Sequence, residues 1–248
     1  MKNTAVSACL TLAGAFLLAI PVGAQTIEAA RAAYAEGRFV EAGEVGEALA
    51  TSEGYALAAN SLAIHGYYIA AEDDQPEYFA RAITAADEAI RLDPDNPEGY
   101  FQAAHAIGRE AQTVGVMEAL NRGYARRTRE AAEEALRLDP EMAEAHLTLG
   151  SWHAQIVNKM GGLVARVTYR ATRRNALDYY EKALELAPDE IAVYLEYANG
   201  LMLLGRNRNR EQARELLMRG IEISPGDAYD RILHELAVEQ LAALGASP

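Results

Sequence analysis

Small and apolar residues recur along the chain at helical spacing, and four stretches close on the same phrase. These are Ala89-Ile90-Arg91-Leu92-Asp93-Pro94, Ala135-Leu136-Arg137-Leu138-Asp139-Pro140, Ala183-Leu184-Glu185-Leu186-Ala187-Pro188 and Gly220-Ile221-Glu222-Ile223-Ser224-Pro225. In each, a small residue stands five positions before the proline, with apolar residues four and two before it. The small residue lets two helices approach closely, and the apolar pair closes an inner face. Proline cannot continue the helix but suits the first turn of the next one. New helix starts follow, as at Asp95-Asn96-Pro97-Glu98 and Pro188-Asp189-Glu190. No stretch reads convincingly as a strand, so the pattern predicts an all-α chain of repeated helical hairpins.

The prolines at 94, 140, 188 and 225 give steps of 46, 48 and 37 residues. The implied units are about 26–53, 54–93, 94–139, 140–187 and 188–224, followed by a cap over 225–244. The first unit has Gly54 where the others have proline. In the cap, Tyr229, Ile232, Leu233, Leu236, Ala237 and Leu241 share one helical face. The steps exceed the ~34 residues of a minimal two-helix repeat. The surplus falls between the two helices of units two to four, where long helices joined by tight turns at Gly115 or Gly161-Gly162 would absorb it.

These features resemble the tetratricopeptide repeat. Twelve residues before the proline that family places a small residue, here Ala82, Ala176 and Ala213, with Thr128 as a departure. Eight before it the family prefers an aromatic, which only Tyr180 supplies fully. His146, Leu149, Gly150 and His153 fall on the family's first-helix positions, and so do Tyr194, Tyr197, Ala198 and Leu201. Gly37-Arg38-Phe39-Val40-Glu41-Ala42 and Leu204-Gly205 resemble its intra-unit turn. The resemblance implies a short right-handed solenoid with enlarged central repeats and a C-terminal capping helix. More loosely, the long tandem units, the second opening on His146-Leu147-Thr148-Leu149-Gly150-Ser151-Trp152-His153, resemble the regulator-of-microtubule-dynamics family over about 99–200. An exported bacterial-type protein would not meet microtubules, so that family's function does not simply transfer.

Export is expected from the first residues. Lys2 precedes an apolar run from Ala5 to Ile20, Pro21 ends the run, and Val22-Gly23-Ala24 makes a small-x-small site before Gln25. Residues 1–24 thus read as a signal peptide cleaved after Ala24, and the location as periplasmic or secreted. The lone cysteine, Cys9, lies inside that segment, so the mature chain would carry no thiol for disulfides, nucleophilic catalysis or metal binding. With 23 Lys and Arg against 36 Asp and Glu, the net charge of −13 argues against nucleic-acid partners.

No phosphate loop, metalloprotease helix, nucleophile elbow or calcium loop is present in the sequence. No catalytic residue, cofactor or metal is expected. His146 and His153 lie two turns apart on one helix face and read mainly as packing or groove residues. Trp152, with Tyr100, Tyr179, Tyr180, Tyr194 and Tyr197, forms an aromatic set that reads mainly as core.

Three arginine clusters are the most informative polar feature: Arg122, Arg126, Arg127 and Arg129; Arg166, Arg170, Arg173 and Arg174; Arg206, Arg208 and Arg210. Arg122 and Arg170 both stand 18 residues before their proline, and Arg126 and Arg174 both 14 before. Stacking would align them into a stripe. Such a stripe either pairs with neighbouring acids or binds an acidic peptide, a lipid head group or a polyanion, for which Arg is better suited than Lys. The expected function is an exported scaffold or adaptor that holds a protein or peptide. Binding residues would come from the stripe and from His146, Trp152 and His153. The alternative is an accessory protein of a periplasmic transport system that binds a small molecule or a solute-binding protein, and an enzyme is the remote reading.

Overall fold

The computed structural model describes residues 26–205 and 207–245, so the leader expected at 1–24 and Arg206 lie outside the described residues. Every regular element among the described residues is helical. Helices α1 (Ile27–Ala35) and α2 (Phe39–Ala48) form the first hairpin. Helices α3 (Ser52–Tyr68) and α4 (Gln75–Leu92) form the second. The third pairs α5 (Pro97–Thr113) with α7 (Tyr124–Leu138), and the short α6 (Val116–Asn121) lies between them. In the fourth, α8 (Ala143–Met160) pairs with α10 (Arg173–Leu186) across α9 (Gly162–Val164) and a π-turn, Ala165–Tyr169. Helices α11 (Ile191–Leu204) and α12 (Asn207–Gly220) form the fifth, and α13 (Ala228–Gly245) follows. The array is a helical-repeat solenoid.

Local chemistry explains the hairpin ends. Asn96 caps α5, its side chain accepting from Glu98 N at 3.0 Å, and Pro97 occupies the first turn. Thr26, Thr51 and Thr172 cap α1, α3 and α10 in the same way. Gly37 (φ 87°) and Gly205 (φ 59°) make turns in a backbone region costly for other residues. The prolines also anchor the helices that follow them. His146 Nε2 donates to the Pro140 carbonyl at 2.9 Å, and the Tyr194 hydroxyl donates to the Pro188 carbonyl at 2.8 Å.

The core is built largely from alanine. Ala89, Ala135 and Ala183 are fully buried, as are Ala82, Ala86, Ala132, Ala176 and Ala213. Small side chains bring the helix axes close, so that a few larger residues fill what space remains. Tyr180 is the largest of these. It stacks on Tyr197 at 5.0 Å, donates to Ser151 Oγ at 3.1 Å and lies between Gly150 of α8 and Gly200 of α11.

Two features depart from the simple repeat expectation. The surplus residues of the third and fourth hairpins form extra short helical segments, not longer paired helices. Gly115 and Gly123 bound α6, and Gly161 (φ 74°) breaks the chain before α9. In addition, the C-terminal helix does more than cover the last hairpin. It packs on α11 and α12 and also reaches the first hairpin. Ala228 joins Phe39 and Ile64 in one apolar cluster, Tyr229 meets Tyr68 with ring centres 5.8 Å apart, and Arg231 reaches the Ala35 carbonyl. The superhelix therefore curls until its two ends touch.

Candidate functional site

Closure turns the concave face into a chamber. Its wall comes from the inner helices α5, α8 and α11, with α6, α7 and α13 completing it, and it offers a cavity of about 450 Å3 that stays open to solvent on one side. Because the inner helices run in the same direction, their ends segregate chemistry. One end of the chamber collects helix N-termini, which carry Glu98, Glu144, Glu190, Asp227 and Asp230. The opposite end holds Val116, Leu120, Lys159 and Met160, from α6 and the end of α8. Acids suit helix N-termini because they offset the partial positive charge there, but here five converge. Burial holds the Glu98 carboxyl above its ordinary range, and nearby Glu144 adds to the effect. Burial also raises Glu190, reinforced by Asp230, Glu144 and Asp227. For Glu98 the shift registers mainly the cost of holding a carboxylate away from water, and for the exposed Glu190 the neighbouring carboxylates add to a partial burial.

The middle of the chamber is crossed by an ion pair. Arg109 of α5 donates to Glu196 of α11 at 2.7 Å, and their side chains are 11% and 15% exposed. Arg109 lies over the Tyr67 ring, 4.7 Å from its centre. Its Nε faces His105 Nε2 at 3.4 Å, and Ser151 approaches the other Glu196 oxygen at 3.4 Å. Burial opposes the Arg109 charge, but Glu196 more than offsets this and keeps the guanidinium firmly ionised. Burial, with Arg109 beside it, drops the His105 pKa to about 3, so the ring is neutral. Beyond the pair lies a second cavity of about 600 Å3, bounded by Tyr180, Asn199, Leu203 and Gln240.

Of the candidate binding residues singled out from sequence, only Trp152 borders this chamber. His146 and His153 face Tyr179 of α10, with ring centres 5.8 and 5.6 Å away, inside the fourth hairpin. His153 Nδ1 accepts from Thr172 N at 3.4 Å, and burial lowers its pKa to about 4. Trp152 borders the chamber wall and donates to the Ala125 carbonyl at 2.6 Å.

Most of the arginines are engaged locally. Arg122 binds Glu110 and Glu118, Arg126 binds Glu130, Arg129 binds Glu133, and Arg174 faces Asp178 at 3.5 Å. Arg127 lies near the Tyr124 ring, Arg173 binds the Leu204 carbonyl and Arg210 the Leu244 carbonyl. Arg166 and Arg170 are exposed on the π-turn and its end, beside the exposed Leu163 and Val167. Sequence reasoning passed over the acids and the Arg109–Glu196 pair. A faint signal existed, since Glu98 and Glu144 both stand four residues after their prolines.

Among the described residues no helix is long and apolar enough to cross a membrane. No curated protein matches the chain in sequence. Among solved structures, a thermophilic tetratricopeptide-repeat protein of Thermus thermophilus superposes with a TM-score of 0.61 at 17% identity, covering 86% of this chain and 97% of that one. The human IFIT1 dimer with PPP-AAAA gives a TM-score of 0.42 at 17% identity, covering 85% of this chain and 56% of that one. The first likeness establishes the fold as tetratricopeptide-like. The model of the family "Regulator of microtubule dynamics protein 1-3" matches residues 53–245, which takes in every hairpin from α3 onward and the closing helix, and the chain belongs to that family.

Proposed function

We propose that the protein is an exported scaffold that holds a protein or peptide partner in the concave chamber and carries out no chemistry of its own. Tetratricopeptide-like folds in general present a concave surface to proteins and peptides. The observation that carries the reading is the chamber, walled by the inner helices and bordered where α13 meets α1 and α2. Export rests on the leader-like residues 1–24. A small-molecule accessory role is the second reading, because about 450 Å3 of partly apolar, concave space also suits a compact ligand.

Affinity capture from an envelope extract, at low and high salt, tests the proposal. Two variants locate the site. Thr148→Trp fills the chamber, and the Arg126→Glu/Arg170→Glu/Arg174→Glu triple reverses the outer stripe. Capture lost only in the first assigns the partner to the chamber, and capture lost only in the second assigns it to the stripe. Recovery of no protein at either salt, together with retention of a small metabolite, would favour the accessory reading instead. Fractionation of cells that express the full chain tests export, with periplasmic recovery of a chain shortened at Ala24 as the expected result.

A further inference from the structure

We propose that the carboxylate end of the chamber binds an organic ammonium or guanidinium group. A lysine or arginine of the held peptide and a free diamine would offer the same chemistry. The inference deepens the scaffold reading and rests on it.

The first observation is an imbalance of charge. Some acids elsewhere are matched by local cations, as in Glu130 with Arg126 or Glu134 with Arg137, and many others stand singly on the surface. Of the ion pairs among the described residues, none includes Glu98, Glu144, Glu190, Asp227 or Asp230. Each acid is eased by the helix start it sits on, yet that does nothing for their mutual repulsion. A cation entering the mouth relieves it, and the raised Glu98 and Glu190 are the groups that gain most.

The second observation is independent of charge. Gln102, one turn into α5 from Glu98, is 1% exposed and lines the same chamber. Its Nε2 donates to Glu98 Oε1 at 2.8 Å, while its buried Oε1 has no hydrogen-bond partner. A buried acceptor left over in this way calls for a donor. An ammonium brings three N–H donors and a guanidinium five, and neither brings an acceptor that would clash with the carboxylates.

The shape of the mouth decides what kind of cation fits. Among the described residues no three carboxylate or imidazole groups converge closely enough to hold a metal ion. Spread charge suits an elongated organic cation better than a point ion. The rings of Tyr34, Phe101 and Tyr229 also border the chamber, and aromatic faces favour cations that are readily desolvated.

The test uses the purified protein and four probes: 1,5-diaminopentane, and three fluorescent peptides of equal length that are lysine-rich, glutamate-rich or neutral. The lysine peptide is expected to bind best, to weaken at high salt, and to lose at least about tenfold in affinity in the E98Q/E144Q variant. The diamine should compete with it. Because the substitution removes like-charge repulsion, its melting temperature should equal or exceed that of the unmodified protein, which separates lost binding from lost folding. Gln102→Leu should weaken binding severalfold. Diamine binding that needs Glu98 and Glu144, without binding of any peptide, keeps the cation site but removes the scaffold reading. Binding of the neutral or acidic peptide without the lysine peptide overturns the cation site and leaves the scaffold reading standing. Lysine-peptide affinity unchanged in E98Q/E144Q also overturns the cation site.

Discussion

Gly200→Ala isolates the physical principle that holds this array together. A Cβ at position 200 would overlap the Tyr180 hydroxyl and the adjoining ring carbons, far inside normal contact. Tyr180 is 1% exposed, stacked on Tyr197 and hydrogen-bonded to Ser151, so the ring has nowhere to go. From the other side Gly150 stands so close that its own added Cβ would lie 2.9 Å from the ring. Overfilling a packed core costs about 1–3 kcal/mol, occasionally more, and this overlap places the cost at the upper end, about 3 kcal/mol. Alanine returns about 1 kcal/mol through helix propensity. The net loss is about 2 kcal/mol, a melting shift of roughly 4–8 °C for a chain of this size.

Guanidinium denaturation followed by circular dichroism measures the effect. Gly150→Ala should cost less, because its Cβ would stand 2.9–3.0 Å from the ring atoms, a milder overlap than the one at position 200. Combining Gly200→Ala with Tyr180→Leu should be less destabilising than the sum of the two single changes, by at least about 1 kcal/mol, as expected for residues in contact. If Gly200→Ala proves as stable as the parent or more so, α11 does not approach Tyr180 this closely, and the reasoning fails.

Other consequences follow from the chamber. Arg109→Met leaves Glu196 buried without its partner and should cost about 3–5 kcal/mol, whereas Arg109→Met/Glu196→Gln should recover most of it; thermal melts compare the two. His105 and His153 have folded pKa values of about 3 and 4, below the ordinary 6.5, so the unfolded chain binds more protons below pH 6.5. Stability should therefore fall as pH drops below 6.5, by about 2 kcal/mol near pH 5 for each histidine, with the His153 contribution levelling off first as pH falls through its folded value. Glu98 and Glu190, with raised values, work in the opposite sense. Denaturation at the two pH values should show a shallower pH dependence for His105→Gln, and an unchanged slope would remove that histidine from the account. Tyr229→Ala, which opens the seam with Tyr68, should cost about 3 kcal/mol and speed amide exchange in both α1 and α13. Arg166→Glu/Arg170→Glu should change stability by less than about 0.5 kcal/mol, since both side chains are exposed.

What could be read from residues alone was whatever local chemistry decides. Asn96-Pro97 and the buried alanines before Pro94, Pro140 and Pro188 set helix ends and close approaches within a few residues of themselves. The helical hairpins and their kinship were therefore legible. His146 and His153 share one helix face, a relation set by spacing alone, and there His153 stacks on Tyr179 while His146 lies tilted beside it. The arginine clusters stood out because they are contiguous in sequence, although many of them are engaged within their own helices, as Arg126 is with Glu130 and Arg129 with Glu133.

The acidic mouth had the reverse character. Glu98, Glu144, Glu190 and Asp227 are scattered over well over a hundred residues, and each alone is an ordinary helix-start acid. They meet because each hairpin adds a small rotation to the last, and the sum brings α13 back to α1 and α2. No single position encodes that sum, and the short insertions α6 and α9 alter it along the way. The sequence by itself determined the helices, their pairing and the small residues that let them touch. Only the tertiary structure decided that the array closes, which end of the chamber carries the charge, and that Gln102 is left with an unanswered oxygen, because those are properties of accumulated geometry and not of any local run.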